Sequence, residues 1–524
     1  MKFLTVILLI IFVGFGNSET FDVGLSLDEF NPLGGQNGEA SNDIFIRDQG
    51  SGTLTVDSYD NSTGLQEFTP IRDTILQSQT HYFSFGVNTT TGVGEFYEFL
   101  IFITGNICSQ PTNVQANETS LAVYYSFNSS MFGNFELGSM TLYQNGYFQA
   151  LTDVPSGNST KDSILYIAVR APENTNRTAE WSYQIGVSQN DLVFQWDDRS
   201  WAQVVDTDEN SALIVTGNLT SSLDQDWNEL NATESRYSLY VYSYENRDYF
   251  SALNESWCAV RNGPALMTLE DFDSSYTIRN GGLQQQFYIK GLNESTKYIA
   301  YLLSDFQGSD FGGALYQPFE FETLDKPACE LIFDLPFCDQ VAYSVPSNSK
   351  DTKEDVSALY DNQAKELYGN FSKALQQIAC NTTEDSIFSP VRTCEDCAAS
   401  YKNWLCAVTI PRCSTRNLTG YVYRDLNESR NSFINDMVLP DFSYFEILPC
   451  LNVCDAIVRD CPADFGFLCP TKNLTNSYLK GSADLDGFPT CNYVGKYKAT
   501  SGVLSMYMVN WYLLAALVAI SVTI

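Results

Sequence analysis

The cysteines of this chain are not spread evenly. Fourteen are present, and after Cys108 and Cys258 the other twelve all lie between Cys329 and Cys491. Such a density forces a choice among a metal centre, a redox pair and a disulfide frame, and the choice restricts the fold. The stretch YKNWLCAVTIPRC, residues 401 to 413, poses it most sharply: Cys406 and Cys413 stand seven apart beside an aromatic run and a proline. A zinc centre takes four nitrogen or sulfur ligands. The single histidine, His81, is far away in sequence, and Cys394-x-x-Cys397 alone offers half a zinc site or one redox pair. In a secreted chain an even set of cysteines reads as a disulfide frame. Cys329, Cys338, Cys380, Cys394, Cys397, Cys406, Cys413, Cys450, Cys454, Cys461, Cys469 and Cys491 are therefore expected in disulfides, with no metal ligand and no cofactor. Cys108 and Cys258 are expected to join them, and if they pair with each other they tie together the regions that carry them.

The two ends supply the compartment. The chain opens MKFLTVILLIIFVGFGNSE. Lys2, an apolar run from Phe3 to Val13 and small residues at Gly14 and Gly16 make residues 1–18 a secretory signal peptide. At the other end no charge occurs from Val503 to Ile524, a length that can cross a bilayer. Lys496 and Lys498 precede this segment, and Thr500, Ser501 and Gly502 lead into it. Residues 496–524 are expected to be a GPI signal, with a retained membrane helix as the alternative. Sequons at Asn61, Asn88, Asn117, Asn128, Asn158, Asn176, Asn218, Asn231, Asn254, Asn293, Asn370, Asn381, Asn417, Asn427 and Asn473 mark glycosylation along the whole ectodomain. The expected destination is the outer face of the plasma membrane, with an endoplasmic-reticulum pool beside it.

A formal net charge of −34 excludes nucleic acid as a partner, because phosphates would repel it. Residues 206 to 273 hold thirteen Asp or Glu against three Arg. These read as solvated loops, or alternatively as a surface that enriches cations near a partner. Asp484-Leu-Asp486-Gly487 lacks the remaining ligands of a calcium loop.

The composition changes near Asp325-Lys326-Pro327. Before it, HYFSFGV (81–87), EFYEFLIFIT (95–104), LAVYYSF (121–127), ILYIAVR (164–170), YSLYVYSY (237–244) and KYIAYLL (297–303) are aromatic and β-branched, with Gly, Asn, Asp and Pro between them. Two antiparallel β-sandwiches are expected, at 19–188 and 189–325. The second resembles fibronectin type III over one hairpin, where Gly291-Leu292, Thr296 and Tyr298 suggest a corner at which a tyrosine hydroxyl bonds back to the chain. After the boundary, Val356, Leu359, Leu367, Phe371, Leu375 and Ile378 fall at helical spacing, with Asp351 as the N-cap. The fold class is thus multidomain β + α, with a helical, disulfide-rich region at 326–495.

The motifs of that region carry a resemblance. CELIFDLPFC followed by VAYSVP, then WLCAVTIPRC, LPCLNVCDAIVRDC and DFGFLCP, resemble the Frizzled-type cysteine-rich domain. The pairing implied by that resemblance is Cys329 with Cys413, Cys338 with Cys406, Cys380 with Cys461, Cys450 with Cys491 and Cys454 with Cys469, leaving Cys394 and Cys397 to pair with each other. The whole order of segments is similar to the MID family of fungal stretch-activated calcium-channel regulatory subunits. The resemblance implies an auxiliary subunit of a plasma-membrane, voltage-gated-like calcium channel, supporting calcium influx under stress and during mating, with the pore-forming α subunit as partner. A Frizzled-like ligand-binding co-receptor and a cell-wall adhesin or glycan-binding ectodomain are the alternative readings.

Catalytic residues are not expected. No G-x-S-x-G elbow or phosphate-binding glycine loop is present, and a Ser-His-Asp triad could only pass through His81. Within the 401–413 stretch Trp404 reads as core. Lys402 and Arg412, basic residues in an acidic chain, read as surface residues that contact the partner.

Overall fold

The computed structural model describes residues 62–88, 100–111, 120–153, 162–173, 179–219, 236–264, 272–279, 282–306, 312–378, 389, 391–470, 477–480 and 489–494. The expected signal peptide and C-terminal tail lie outside them, as do Cys380 and the Asp484–Gly487 stretch.

Two sheets come first. One runs in the order Thr63–Leu65, Thr80–Asn88, Asp162–Arg170, Ala122–Ser126, Ser139–Leu142, with only the first pairing parallel. The other is antiparallel throughout, in the order Ile71–Leu76, Glu180–Ser188, Leu100–Ser109, Tyr147–Asp153. Alternating residues point to opposite faces of a strand. Phe83, Phe85 and Val87 therefore share a core with Ile101, Ile103, Trp181 and Tyr183 of the second sheet. His81 joins the two sheets at their edge, its Nδ1 2.9 Å from Asp73 Oδ2 and 3.0 Å from the Tyr183 hydroxyl.

Two further sheets follow. Ala202–Thr207, Ala212–Thr216, Gly282–Ile289 and Phe272–Arg279 form an antiparallel set in that order. Phe194–Asp197, Gly313–Tyr316, Lys297–Asp305 and Ser238–Ser243 form the fourth sheet, and Phe319–Glu322 also pairs with Lys297–Asp305. Ile214 and Phe287 of the third sheet pack with Val241, Ala300 and Leu302 of the fourth. The Tyr298 hydroxyl accepts a hydrogen bond from the Asn293 N–H at 2.9 Å, and Gly291 before it takes φ +72°. The chain bends back there much as the hairpin motif suggests.

The joint between the two sheet pairs is a core of its own. Phe194, Tyr242, Tyr301, Trp257 and Val260 bury Cys108 and Cys258, which are bonded to each other across 150 residues. Ser256 caps the Trp257–Arg261 helix through the Ala259 N–H, and its hydroxyl donates to Ile107 O at 2.7 Å. The expected tie between the regions is present and enclosed.

The last third is built on a hairpin, Cys329–Ile332 with Tyr343–Pro346, three helices and a small sheet of Arg412–Ser414, Tyr444–Ile447 and Val422–Arg424. The helices are Lys353–Leu375, Cys394–Thr409 and Leu451–Asp460. Thr352, not Asp351, is the N-cap of the first: its hydroxyl accepts the Asp355 N–H, and the Asp355 carboxylate answers the Thr352 N–H. Threonine with an acid three residues on closes a capping box, which an aspartate one residue earlier cannot do. Val356, Tyr360, Ala364 and Phe371 form the buried face, whereas Leu367 is exposed. A polar-looking tyrosine and a small alanine thus do the packing that leucine spacing suggested. Leu331 of the hairpin, with Phe333 and Ala342 beside its strands, covers the outer face of the third sheet at Val205, Leu213, Val215 and Tyr288.

Candidate functional site

The 401–413 stretch sits where helix, hairpin and small sheet converge. Thr393 caps its helix in a capping box with Asp396. From there the helix turns Cys397, Leu405, Cys406 and Ala407 inward. Cys406 bonds Cys338, and Cys413, on the first strand of the small sheet, bonds Cys329. Each end of the stretch is therefore tied to the opening hairpin. Asp361 of the 353–375 helix reinforces the same point, accepting the Cys338 and Phe337 N–H groups at 2.7 and 2.9 Å.

The pairs Cys450–Cys491 and Cys454–Cys469 also form. Two implied pairings do not. Cys397 bonds Cys461, with Cα atoms 4.5 Å apart, so neither Cys380–Cys461 nor Cys394–Cys397 exists. Cys394 is nevertheless disulfide-bonded. The physical reason is packing of the two helices: Cys397 faces Cys461, the C-cap of the 451–460 helix, inside an apolar cluster with Phe371. Ser400 adds a hydrogen bond to buried Asp460 at 2.6 Å across the same contact.

Around that bridge the rings form a continuous set. Tyr401 stacks on Phe371 with centroids 3.6 Å apart, and Phe467 lies 5.7 Å from Tyr401. Tyr401, Phe465 and Phe467 are only partly buried, and Leu468 beyond them is 89 % exposed. Trp404 packs against the core and donates its indole N–H to the Tyr478 hydroxyl at 2.8 Å. Lys402 lies on the outer side of the helix. Its ammonium meets Asp339 and hangs over the Phe337 ring at 5.3 Å. The side chain remains 30 % exposed.

Arg412 is placed differently from the sequence expectation. It is not a surface residue: its Nε donates to Asp206 Oδ2 at 2.9 Å and its Nη2 to Val205 O at 3.1 Å, with the residue 9 % exposed. The same Asp206 oxygen accepts the Ser344 N–H at 3.1 Å. Arg412 thus joins the small sheet, the hairpin and the third sheet. Nothing local marks this, because the partners are 206 residues apart. Arg416 repeats the pattern, reaching Glu322 Oε2 and the Glu322 carbonyl at 2.9 and 3.0 Å.

Of the sequon asparagines, Asn128, Asn218, Asn293, Asn370, Asn417 and Asn427 are exposed, and Asn254 is half-buried. The side chains of Asn61, Asn88, Asn117, Asn158, Asn176, Asn231, Asn381 and Asn473 lie outside the described residues. Among the described residues no three His, Cys, Asp or Glu side chains gather as a metal-binding group, and no helix is long and apolar enough to cross a membrane.

Comparison with known proteins adds a relationship to this geometry. A family model described as Mid1, a stretch-activated Ca2+-permeable channel component, matches residues 100–497. The stretch-activated cation channel MID1 of Saccharomyces cerevisiae is 39 % identical over 486 residues, covering 83 % of this chain and 87 % of that protein. The stretch-activated cation channel yam8 of Schizosaccharomyces pombe is 35 % identical over 388 residues, covering 71 % and 76 %. A Cryptococcus neoformans protein of the MID1 name is 28 % identical over 239 residues, covering 38 % of this chain and 36 % of its own length. Among solved structures, the glycoside hydrolase domain of Endo-D from Streptococcus pneumoniae matches with a TM-score of 0.18 and 7 % identity, covering 48 % of this chain and 33 % of that one; so low a score carries no argument.

Proposed function

This chain belongs to the Mid1 family of stretch-activated Ca2+-permeable channel components, and from that premise we propose that it is an extracellular auxiliary subunit. In this reading it supports calcium influx through a separate pore-forming, voltage-gated-like α subunit during stretch, stress and mating. The observation that carries it is the family match running through both the β-rich part and the cysteine-rich part. The disulfides support an ectodomain matured in the secretory pathway. We read residues 19–188 and 189–325 as two sandwiches and 326–495 as a Frizzled-like domain, delivered by a signal peptide at 1–18. The 496–524 tail directs attachment to the plasma membrane, either as a GPI signal that is exchanged for the lipid anchor or as a retained helix, with a second pool in the endoplasmic reticulum. The test is calcium uptake on hypo-osmotic swelling, in cells lacking the chain and in cells with it restored. Uptake should be lost and regained with it; uptake unaffected by its removal would refute the reading.

Lys402 is the residue we assign to partner contact. Its surroundings support this: the side chain is partly exposed, and its ammonium sits over the Phe337 ring beside exposed Asp339. Its pairing with Asp339 is worth little to folding, since exposed ion pairs contribute about 0–1 kcal/mol. Lys402→Ala should therefore reach the surface normally and unfold near the wild-type midpoint, yet recover less channel partner on co-purification. Unchanged recovery would remove Lys402 from the interface.

Glycosylation is proposed at the sequons, with unequal occupancy. Asn254 precedes Ser256, whose hydroxyl is wholly buried beside the Cys108–Cys258 bridge, and Asn254 Oδ1 is itself buried. Glycopeptide mass spectrometry should find high occupancy at exposed Asn128, Asn218, Asn293, Asn370, Asn417 and Asn427, and the lowest at Asn254. Full occupancy at Asn254 would contradict this.

A further inference from the structure

Between the Val422–Arg424 and Tyr444–Ile447 strands the chain adopts a backbone that its own sequence resists. Phe433, Ile434 and Val438 sit in the core of the cysteine-rich part, where Phe433 meets Tyr360 edge to face at 5.8 Å. Ile434–Val438 form a single π-helical turn, closed by the Leu439 N–H on the Ile434 carbonyl at 2.9 Å. Such turns are rare and recur at functional sites. Leu439 then takes φ +52° and ψ +61°, the left-handed conformation. At a helix end this is the preferred place of glycine, because a Cβ is penalised there. Pro440 follows and restricts the leucine further.

The fold gains little from that side chain. Leu439 is 51 % exposed, and its neighbours Met437 and Phe442 are 59 % and 38 % exposed. Polar contacts nevertheless pin the segment. Asn348 Nδ2 donates to the Leu439 carbonyl at 2.9 Å, and Asp441 Oδ2 accepts the Ser349 N–H and hydroxyl at 3.0 and 2.6 Å. Three large apolar side chains are thus presented to solvent on a turn fixed at both ends. Glycine would suit this backbone and a polar residue would suit the water, but leucine suits neither. Strained residues held in place by their surroundings cluster at sites that use them.

We propose that Met437, Leu439 and Phe442 form a knob that docks into an apolar socket with a basic rim on the extracellular surface of the pore-forming partner; this rests on the auxiliary-subunit reading above. Charge selects the occupant. Asp436 and Asp441 flank the knob, both exposed, and no Lys or Arg occurs from 431 to 449. Arg430, the nearest basic residue in sequence, is paired with buried Glu446. A bilayer surface is neutral or negative and would meet these carboxylates with no counter-charge. A second copy would bring acid against acid, in a chain of net charge −34. A protein surface rimmed by Lys or Arg matches both the apolar side chains and the carboxylates, in the usual arrangement of a desolvated centre and a polar rim.

The test uses the full-length tagged glycoprotein carrying Leu439→Gly, purified from membranes in mild detergent. Glycine relieves the left-handed backbone while removing the side chain, so this variant should reach the surface normally and unfold at or above the wild-type midpoint. Its recovery of the pore-forming subunit should nevertheless fall roughly five- to tenfold, the affinity that burying the exposed half of a leucine contributes. Asp436→Lys should likewise fold normally and recover less partner, and wild-type recovery should decline as salt rises. Equal recovery by wild type and Leu439→Gly would overturn the knob and leave the auxiliary-subunit reading intact. So would a variant that loses only self-association or binding to phosphatidylcholine vesicles. A wild-type chain that brings down no pore-forming subunit would overturn both. Should Leu439→Gly fail to fold, Met437→Ser combined with Phe442→Ser decides, and undiminished recovery there would overturn the proposal.

Discussion

Cys406→Ser should remove the protein from the cell surface and with it the calcium uptake assigned to it. Cys406 and Cys338 are both 1 % exposed, in the core shared by the hairpin, the helices and Ile410. Their bridge spans 68 residues. A loop of that length gives about 4 kcal/mol in the chain-entropy account of crosslinking. A domain's whole stability is about 5–15 kcal/mol. Cutting this one bond therefore consumes a large part of what holds the cysteine-rich part folded, and it leaves the Cys338 thiol free to mispair. Surface labelling and calcium uptake should fall together. A Cys406→Ser protein that reaches the surface at normal level with a normal unfolding midpoint would refute the structural role of the 401–413 stretch.

Arg412→Met should be nearly as damaging, although a surface arginine would tolerate it. Removing one partner of a buried ion pair costs about 3–5 kcal/mol, because the other charge stays enclosed and uncompensated. Here Asp206 would keep only the Ser344 N–H and its own neighbour Thr207 as donors. Arg412→Lys should also fail in part, since a single ammonium cannot serve Asp206 and the Val205 carbonyl in the same fork. Asp206→Leu combined with Arg412→Met should recover much of the loss, because no charge is then stranded. Denaturant unfolding of the three variants checks this. A single Arg412→Met variant as stable as wild type would return Arg412 to the surface.

What could be read before the structure follows from where the determining contacts lie. Strands such as Thr80–Asn88 and Lys297–Asp305 were legible because a run of aromatic and β-branched residues is written within each segment. The Tyr298 corner was legible for the same reason: its partner, Asn293, is five residues away. Strand order was not legible, since Phe194–Asp197 pairs in parallel with Gly313–Tyr316 across more than a hundred residues. The 353–375 helix was visible, but its buried face was misjudged, because Tyr360 turns inward to donate its hydroxyl to the Pro346 carbonyl at 2.9 Å. That bond depends on the hairpin, not on hydrophobic spacing. Most of the cysteine frame was legible. Four of the six pairings implied by the resemblance formed, while Cys397–Cys461 depends on how two helices meet. Arg412 shows the same limit for charge. A basic residue in an acidic chain suggests a surface, yet this one is held by a carboxylate from the third sheet.

The central claim is that this chain acts on calcium entry through a separate pore-forming partner, docked to a rigid crosslinked ectodomain. The direct measurement is purification of the tagged, full-length glycoprotein from membranes in mild detergent, with quantitative mass spectrometry of what comes with it. The account predicts a multi-span cation-channel subunit in fixed ratio to the wild-type chain, reduced for Lys402→Ala at equal surface level. A folded, surface-expressed wild-type chain recovered alone, or with cell-wall components only, would contradict it.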